Sequence, residues 1–182
     1  MTTLATDQTN TSPPALTLPA ALLSRGFSLR PEREGDIPFL RALFASTRED
    51  EFAQAPWTPE QLSQFLATQF NAQRTHYRLH MPKAQWLVIM HDGAPAGRIY
   101  LNWGPTTLNL VDIALIRPLR GQGVGSLMMN AIVGLAAREN KTTVLFVERF
   151  NPALRLYQRF GFTVFKDHEV HLEMELAPPP AP

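Results

Sequence analysis

Arg117-Pro118-Leu119-Arg120-Gly121-Gln122-Gly123-Val124-Gly125-Ser126 is the stretch that decides the fold. Before it, Ile113-Ala114-Leu115-Ile116 is apolar on both faces, as a central strand covered on each side would be. After it, Val124, Leu127, Met128, Ala131, Ile132, Leu135 and Ala136 form the stripe of an amphipathic helix. Three glycines in five residues thus stand between a buried strand and a helix. Glycine there allows positive φ and lets a ligand approach the backbone. The unpaired N–H groups of the new helix favour an anion above them. A tight turn without a ligand is the competing reading, but it needs fewer glycines. The segment is not a P-loop, because no Gly-Lys-Ser/Thr follows. It is not a dinucleotide fingerprint either, because Ser126 replaces the third glycine and too little chain remains for further β-α units.

Working outward, the order β α α β β β α β α β β emerges. Phe27–Arg30 alternates as a strand, and Asp36 is placed to cap a helix through Ile37, Leu40 and Phe44. Thr58-Pro59 opens a second helix through Leu62, Phe65, Leu66 and Phe70. Trp86–Met90 and Gly97–Trp103 flank His91-Asp92-Gly93-Ala94-Pro95 as a hairpin. Leu108–Ile116 is the long strand, Thr142–Val147 the next, and Pro152–Phe160 a short helix stopped by Gly161. Phe162–Phe165 and Glu169–Leu176 close the chain. The expected fold is one α/β (α+β) domain with a mixed, mostly antiparallel sheet and helices on both faces.

Composition narrows the function. The 182 residues are 45% apolar, with 17 Lys and Arg against 16 acids and a net charge of +1. That balance gives no electrostatic footprint for nucleic acid. The absence of cysteine removes disulfides, thiolate zinc ligands and a cysteine nucleophile. No apolar run approaches 18 residues, and the start has no basic segment followed by an apolar block. A cytoplasmic protein with no membrane contact is the expectation. Residues 1–24 and 177–182, rich in Pro, Ala and Thr, read as disordered or extended tails around a domain over residues 25–176.

Arg120-x-x-Gly123-x-Gly125 after an apolar strand resembles the acyl-CoA-binding motif of the GNAT superfamily of CoA-dependent N-acetyltransferases. The segment from Asn151 through Leu156-Tyr157 to Gly161-Phe162 is similar to that family's Asn…Leu-Tyr…Gly-Phe segment, and Arg30-Pro31…Asp36-Ile37-Pro38 to its first strand and helix. The likeness spans about residues 27–176. It implies acetyl-CoA as co-substrate, without a metal, and an amine acceptor in a monomer or homodimer. It implies that backbone at Ile113, Ala114 and Leu115 holds the pantetheine arm and acetyl carbonyl. Arg120, Gly121, Gln122, Gly123, Val124, Gly125 and Ser126 would hold the pyrophosphate, Asn151 would contact the cofactor, and Tyr157 would protonate the leaving sulfur. Six residues separate Asn151 from Tyr157 where many members have seven. With Pro152 next, Asn151 also suits a plain helix cap.

Other roles stay open on the sequence. Tyr157 at helical spacing also suits the core. Asp112 is the leading base, with a structural carboxylate paired to an arginine as the alternative. Glu148 is second, and Glu49, Asp50 and Glu51 lie in the loop before the second helix. Trp57, Gln69, Phe70 and Tyr77 are the expected acceptor wall, although Trp57 and Phe70 also suit helix packing. His76 and His80 have no third metal ligand at a companion spacing, and His168-Glu169-Val170-His171 is not a zinc-protease motif. Acetyl transfer to a primary amine by direct attack is the leading function. A catalytically silent CoA-binding sensor or interaction module is the alternative.

Overall fold

The computed structural model describes residues 13–52 and 55–180. Its helices are α1 (Ala20–Leu23), α2 (Ile37–Arg48), α3 (Pro59–His80), α4 (Val124–Arg138) and α5 (Leu154–Arg159). Its strands are β1 (Phe27–Pro31), β2 (Gln85–His91), β3 (Ala94–Trp103), β4 (Thr107–Leu115), β5 (Thr142–Glu148), β6 (Thr163–His168) and β7 (His171–Leu176). They form one seven-stranded sheet in the order β1-β2-β3-β4-β5-β7-β6. Neighbours run antiparallel except β4 and β5, the parallel pair joined through α4.

Local chemistry sets the element ends. The β2–β3 hairpin turns on Asp92 and Gly93, both at positive φ (49° and 80°) as a two-residue turn of this hand requires. At the start of α3, Thr58 Oγ1 accepts from Gln61 N and Gln61 Oε1 accepts from Thr58 N, with Pro59 following. Asp36 stands at the α2 boundary but does not cap it through its side chain. Its carboxylate instead takes both Nη groups of Arg30, at 2.7 and 2.6 Å, and the Arg33 N–H. The charge-assisted fork and the upstream Arg33 N–H hold both oxygens on the side away from α2.

Two apolar layers clamp the sheet. On one face α4 buries Val124, Met128, Met129, Ile132, Leu135 and Ala136 against Ile99, Leu101, Leu108 and Leu145. Each large apolar side chain buried there contributes about 1.5–3 kcal/mol. On the other face α2 and α3 meet through Leu40, Phe44, Leu66 and Phe70. Leu16, Leu18 and Leu22 belong to the first layer. The expectation of a disordered tail to residue 24 therefore fails for residues 13–24, where three dispersed leucines have apolar surface to cover. The first twelve residues and the last two lie outside the described part.

Candidate active site

The parallel pair is short. Thr107–Leu110 of β4 pairs with Thr142–Leu145 of β5, and pairing ends there. β4 continues to Leu115 on β3, whereas β5 continues to Glu148 on β7. A bulge lies where they part: Leu110 pairs with Leu101 and Asp112 with Tyr100, leaving Val111 as the extra residue. A bulge bends its strand and sharpens its twist. The gap opens into a cleft of about 300 Å³ whose walls include Asp112, Ile113, Ala114, Glu148, Asn151 and Tyr157.

The glycine loop follows β4 directly. Gly121 and Gly123 have φ of 74° and 77°, and a Cβ on either would point into open space. Gly123 is the residue at the start of α4, and its carbonyl accepts the Leu127 N–H at 3.1 Å. The N–H groups of Val124, Gly125 and Ser126 precede that first helical bond and have no intrahelical acceptor. A backbone cradle with room above it and unpaired donors is the chemistry of an anion seat. Arg120 acts as a brace within the protein. Its Nε donates to the Leu115 carbonyl at 2.7 Å, and Nη2 donates to Ser46 Oγ at 2.9 Å. These bonds tie the loop to the end of β4 and to α2.

Tyr157 lines the cleft and is buried, edge-on to Phe162. Burial, with a smaller contribution from the Asp112 charge, pushes its phenol up to about 12. Tyr77, also on the wall, is likewise raised to about 12 by burial first and Asp112 second. Asp112 is clasped by Arg98, whose Nε and Nη2 donate to its two oxygens at 3.2 and 2.7 Å. The structural alternative for Asp112 is therefore the one the geometry displays. Protonating it would strand a buried guanidinium, so it is poorly suited to be a base. Glu148 faces the cleft with Arg48 Nη2 at 3.3 Å and His171 Nε2 at 3.7 Å. Asn151 Oδ1 accepts the Ala153 N–H at 2.9 Å, a side-chain turn just ahead of α5.

The expected acceptor wall is only partly assembled. Tyr77 is on it, joined by Gln73 and Arg48. Trp57 is 41% exposed and packs on Phe52 and Phe65 instead. Phe70 is in the α2–α3 core, and Gln69 is not among the cleft residues. In both aromatic cases helix packing is the role observed. Glu49 pairs with Arg117, Glu51 reaches the cleft rim, and the Asp50 side chain lies outside the described part. The sequence did not single out Arg48, Gln73, Phe146 and His171 as wall residues; polarity at an element end hinted only at Arg48 and His171. Among the described residues no group of three or more His, Asp or Glu could hold a metal ion, and no helix is long and apolar enough to cross a membrane.

The sheet opens at its one parallel pair, a glycine-rich helix start follows β4, and a buried tyrosine lies inside the cleft. Residues 41–162 match the acetyltransferase (GNAT) family model, and the chain belongs to that family. Among solved structures, the chain is similar to the PaiA N-acetyltransferase of Thermoplasma acidophilum in complex with coenzyme A. That match has a TM-score of 0.64 and 16% identity, over 83% of this chain and 98% of that one. It is also similar to the ribosomal-protein-S18-alanine N-acetyltransferase of Escherichia coli (TM-score 0.58, 15% identity, 86% and 96% covered). Arabidopsis thaliana Naa50, in complex with the bisubstrate analogue CoA-Ac-MVNAL, gives 0.54 and 16%, over 82% and 97%. At these identities the likeness shows the shared fold. No curated protein sequence matches the chain.

Proposed function

We propose that the protein is an N-acetyltransferase that moves the acetyl group of acetyl-CoA onto a primary amine of a small molecule or peptide, with both partners bound together. The observation that carries this reading is the divergence of β4 from β5 beyond Leu110 and Leu145. It leaves an unpaired strand edge and a buried phenol around one cleft, with the glycine loop following the end of that strand. Acetyl-CoA supplies an acetyl group already activated as a thioester. The N–H groups of Gly121 to Ser126 hold its pyrophosphate, each charge-assisted bond being worth about 1.5–3 kcal/mol. Backbone donors at Ile113 to Leu115, on the β4 edge that β5 has left, grip the pantetheine arm and polarise the acetyl carbonyl.

Tyr157 donates its hydroxyl proton to the departing sulfur. From a phenol at about 12 to a thiolate near 8.5, complete transfer is uphill by roughly 3.5 units, or about 5 kcal/mol. The proton therefore moves as the carbon–sulfur bond breaks, not before. Glu148 takes the amine proton, because Asp112 is held by Arg98. The chain contains no cysteine, so acyl transfer has no thiol relay and rests on positioning. The test is thiol release from acetyl-CoA across peptides, polyamines, amino sugars and amino acids. Release with at least one class is expected, rising between pH 6 and 9 at saturating cofactor. Cofactor binding without release from any amine would favour the silent sensor. A flat pH profile would remove deprotonation from the rate-limiting part of the scheme.

A further inference from the structure

Two arginines line the cleft, and they are held differently. Arg98 is 4% exposed, and its fork is filled by Asp112 and by Gln73 Oε1 at 3.2 Å. A guest anion at Arg98 would leave Asp112 buried beside an unmatched charge. Arg48, the last residue of α2, is 26% exposed. Nη1 makes one contact with Glu51 Oε2 and Nη2 one with Glu148 Oε1, both at 3.3 Å. Well-seated pairs of this kind run at about 2.7–2.9 Å. Both carboxylates remain open to water, so they stay solvated when the guanidinium turns elsewhere. The Phe44 ring lies 5.2 Å from the Arg48 guanidinium carbon and steadies the head group at the cleft wall.

Arg48 and Glu148 thus offer the same cavity a cation and an anion only 3.3 Å apart. The chemical mirror of that pair is a small zwitterion. We infer that the acceptor is a free α- or β-amino acid, whose carboxylate docks in the Arg48 fork while its ammonium group faces Glu148. The inference rests on acetyl transfer as proposed above and narrows its acceptor. One or two carbons between amine and carboxylate match the spacing of the two protein charges. A peptide amino terminus lacks the carboxylate, which is tied up in an amide bond. A polyamine brings only cations and meets Arg48 as a like charge. Docking also draws Arg48 from Glu148, leaving that carboxylate to the incoming amine. Over the reaction an ammonium group and a thioester become an amide, a thiol and one released proton. The first amine proton goes to Glu148, the amine lone pair forms the nitrogen–carbon bond, and Tyr157 protonates the sulfur as the carbon–sulfur bond breaks. The second nitrogen proton, shed as the amide forms, restores the Tyr157 hydroxyl, and the proton on Glu148 is the one released to solvent.

The experiment compares each standard amino acid with its own carboxamide, alongside short peptides and polyamines, by thiol release from acetyl-CoA. Wild type is expected to favour at least one amino acid over its carboxamide by ten-fold or more in kcat/KM, chiefly through KM. Arg48→Gln should bring that ratio close to one, and Arg48→Lys, with the charge but not the fork, should keep part of it. Equal or faster turnover of carboxamides, peptides or polyamines would overturn the inference while leaving acetyl transfer standing. So would an acid-to-amide ratio that survives Arg48→Gln in a protein with wild-type melting behaviour. If both variants fail to fold, the wild-type ratio decides alone. Acetyl-CoA bound but never cleaved with any amine would overturn acetyl transfer, and this inference with it.

Discussion

The two banks of the cleft are made of different material. The bank formed by the end of β4 and the glycine loop works through backbone: open strand edge, positive φ, helix N–H groups. The bank formed by α2, α3 and the end of β5 works through side chains: the ion-paired Arg48 and Glu148, with Gln73 and Tyr77. A backbone bank constrains residue type only where the chain needs glycine, so it can serve one fixed ligand. A side-chain bank can be rewritten one residue at a time. On the proposed function, binding of the cofactor and choice of the acceptor would fall to different banks.

Gly123→Val attacks the backbone bank and should have the largest effect. The side chain would fill the anion seat, and a β-branched residue at φ near 77° is strained. Loss of about three charge-assisted bonds predicts acetyl-CoA affinity lower by roughly 10³-fold or more. Calorimetry would check this; unchanged affinity in a folded variant would make the loop only a turn. Tyr157→Phe comes next. It keeps the ring against Phe162 and deletes one hydroxyl. kcat and kcat/KM should fall together by about 10²–10⁴-fold, with cofactor affinity little changed. Wild-type kcat, with chemistry shown to limit the rate, would return Tyr157 to the core.

The side-chain bank has its own anchor. Glu32, 1% exposed, accepts bonds from Arg74, Arg78 and, at 2.5 Å, the Tyr100 hydroxyl. It pins α3, which carries Gln73 and Tyr77. Burial would raise this carboxyl, but the bonds from Tyr100 and Arg74 and the charges of both arginines outweigh that and hold it below 4.5. Glu32→Gln should cost about 3 kcal/mol at pH 7 and disturb acceptor KM more than cofactor affinity. A lowered folded value means this contribution is complete above the ordinary value and disappears as pH falls through the folded one. Denaturant melts should therefore show the gap from wild type narrowing below about pH 4.5; a gap independent of pH would mean the charge is irrelevant. The smallest effect belongs to Trp57→Ala. With its contacts to Phe52 and Phe65, it should lose about 1–2 kcal/mol of stability and shift acceptor KM less than about twofold. A large KM change would restore Trp57 to the wall.

Legibility in the sequence divided along the same line. Features set by near neighbours were readable: the Asp92-Gly93 hairpin, the Thr58-Pro59 helix start, the glycine-rich entry to α4 and the order of strands and helices from β1 onward, though not α1 before it. Features set by distant partners were not. Helical spacing placed Phe70 on an apolar stripe without saying that the stripe meets α2 and not the cleft, and nothing near Trp57 showed that it packs on Phe52 and Phe65. Asp112 read equally as base or ion-pair member, because its partner Arg98 is fixed by cross-strand packing. Leu16, Leu18 and Leu22 hid in a Pro- and Ala-rich stretch that has no periodicity, because they dock one by one.

Val111 gives the cleft an unusual economy. Between Leu108 and Leu115 it is the one residue that β3 does not match, and neither flanking pair needs it to reach its side of the sheet. A chain lacking it would keep the pairing of Leu110, Asp112 and Ile113 with β3, in a more regular ladder. Such a chain would be favoured by any selection for folding alone, and β4 would lose the bend that takes it away from β5. Length in this strand is thus governed by use and not by robustness. Apolar substitution at this position is expected to leave the cleft standing and deletion to close it, the reverse of what is expected of a surface loop.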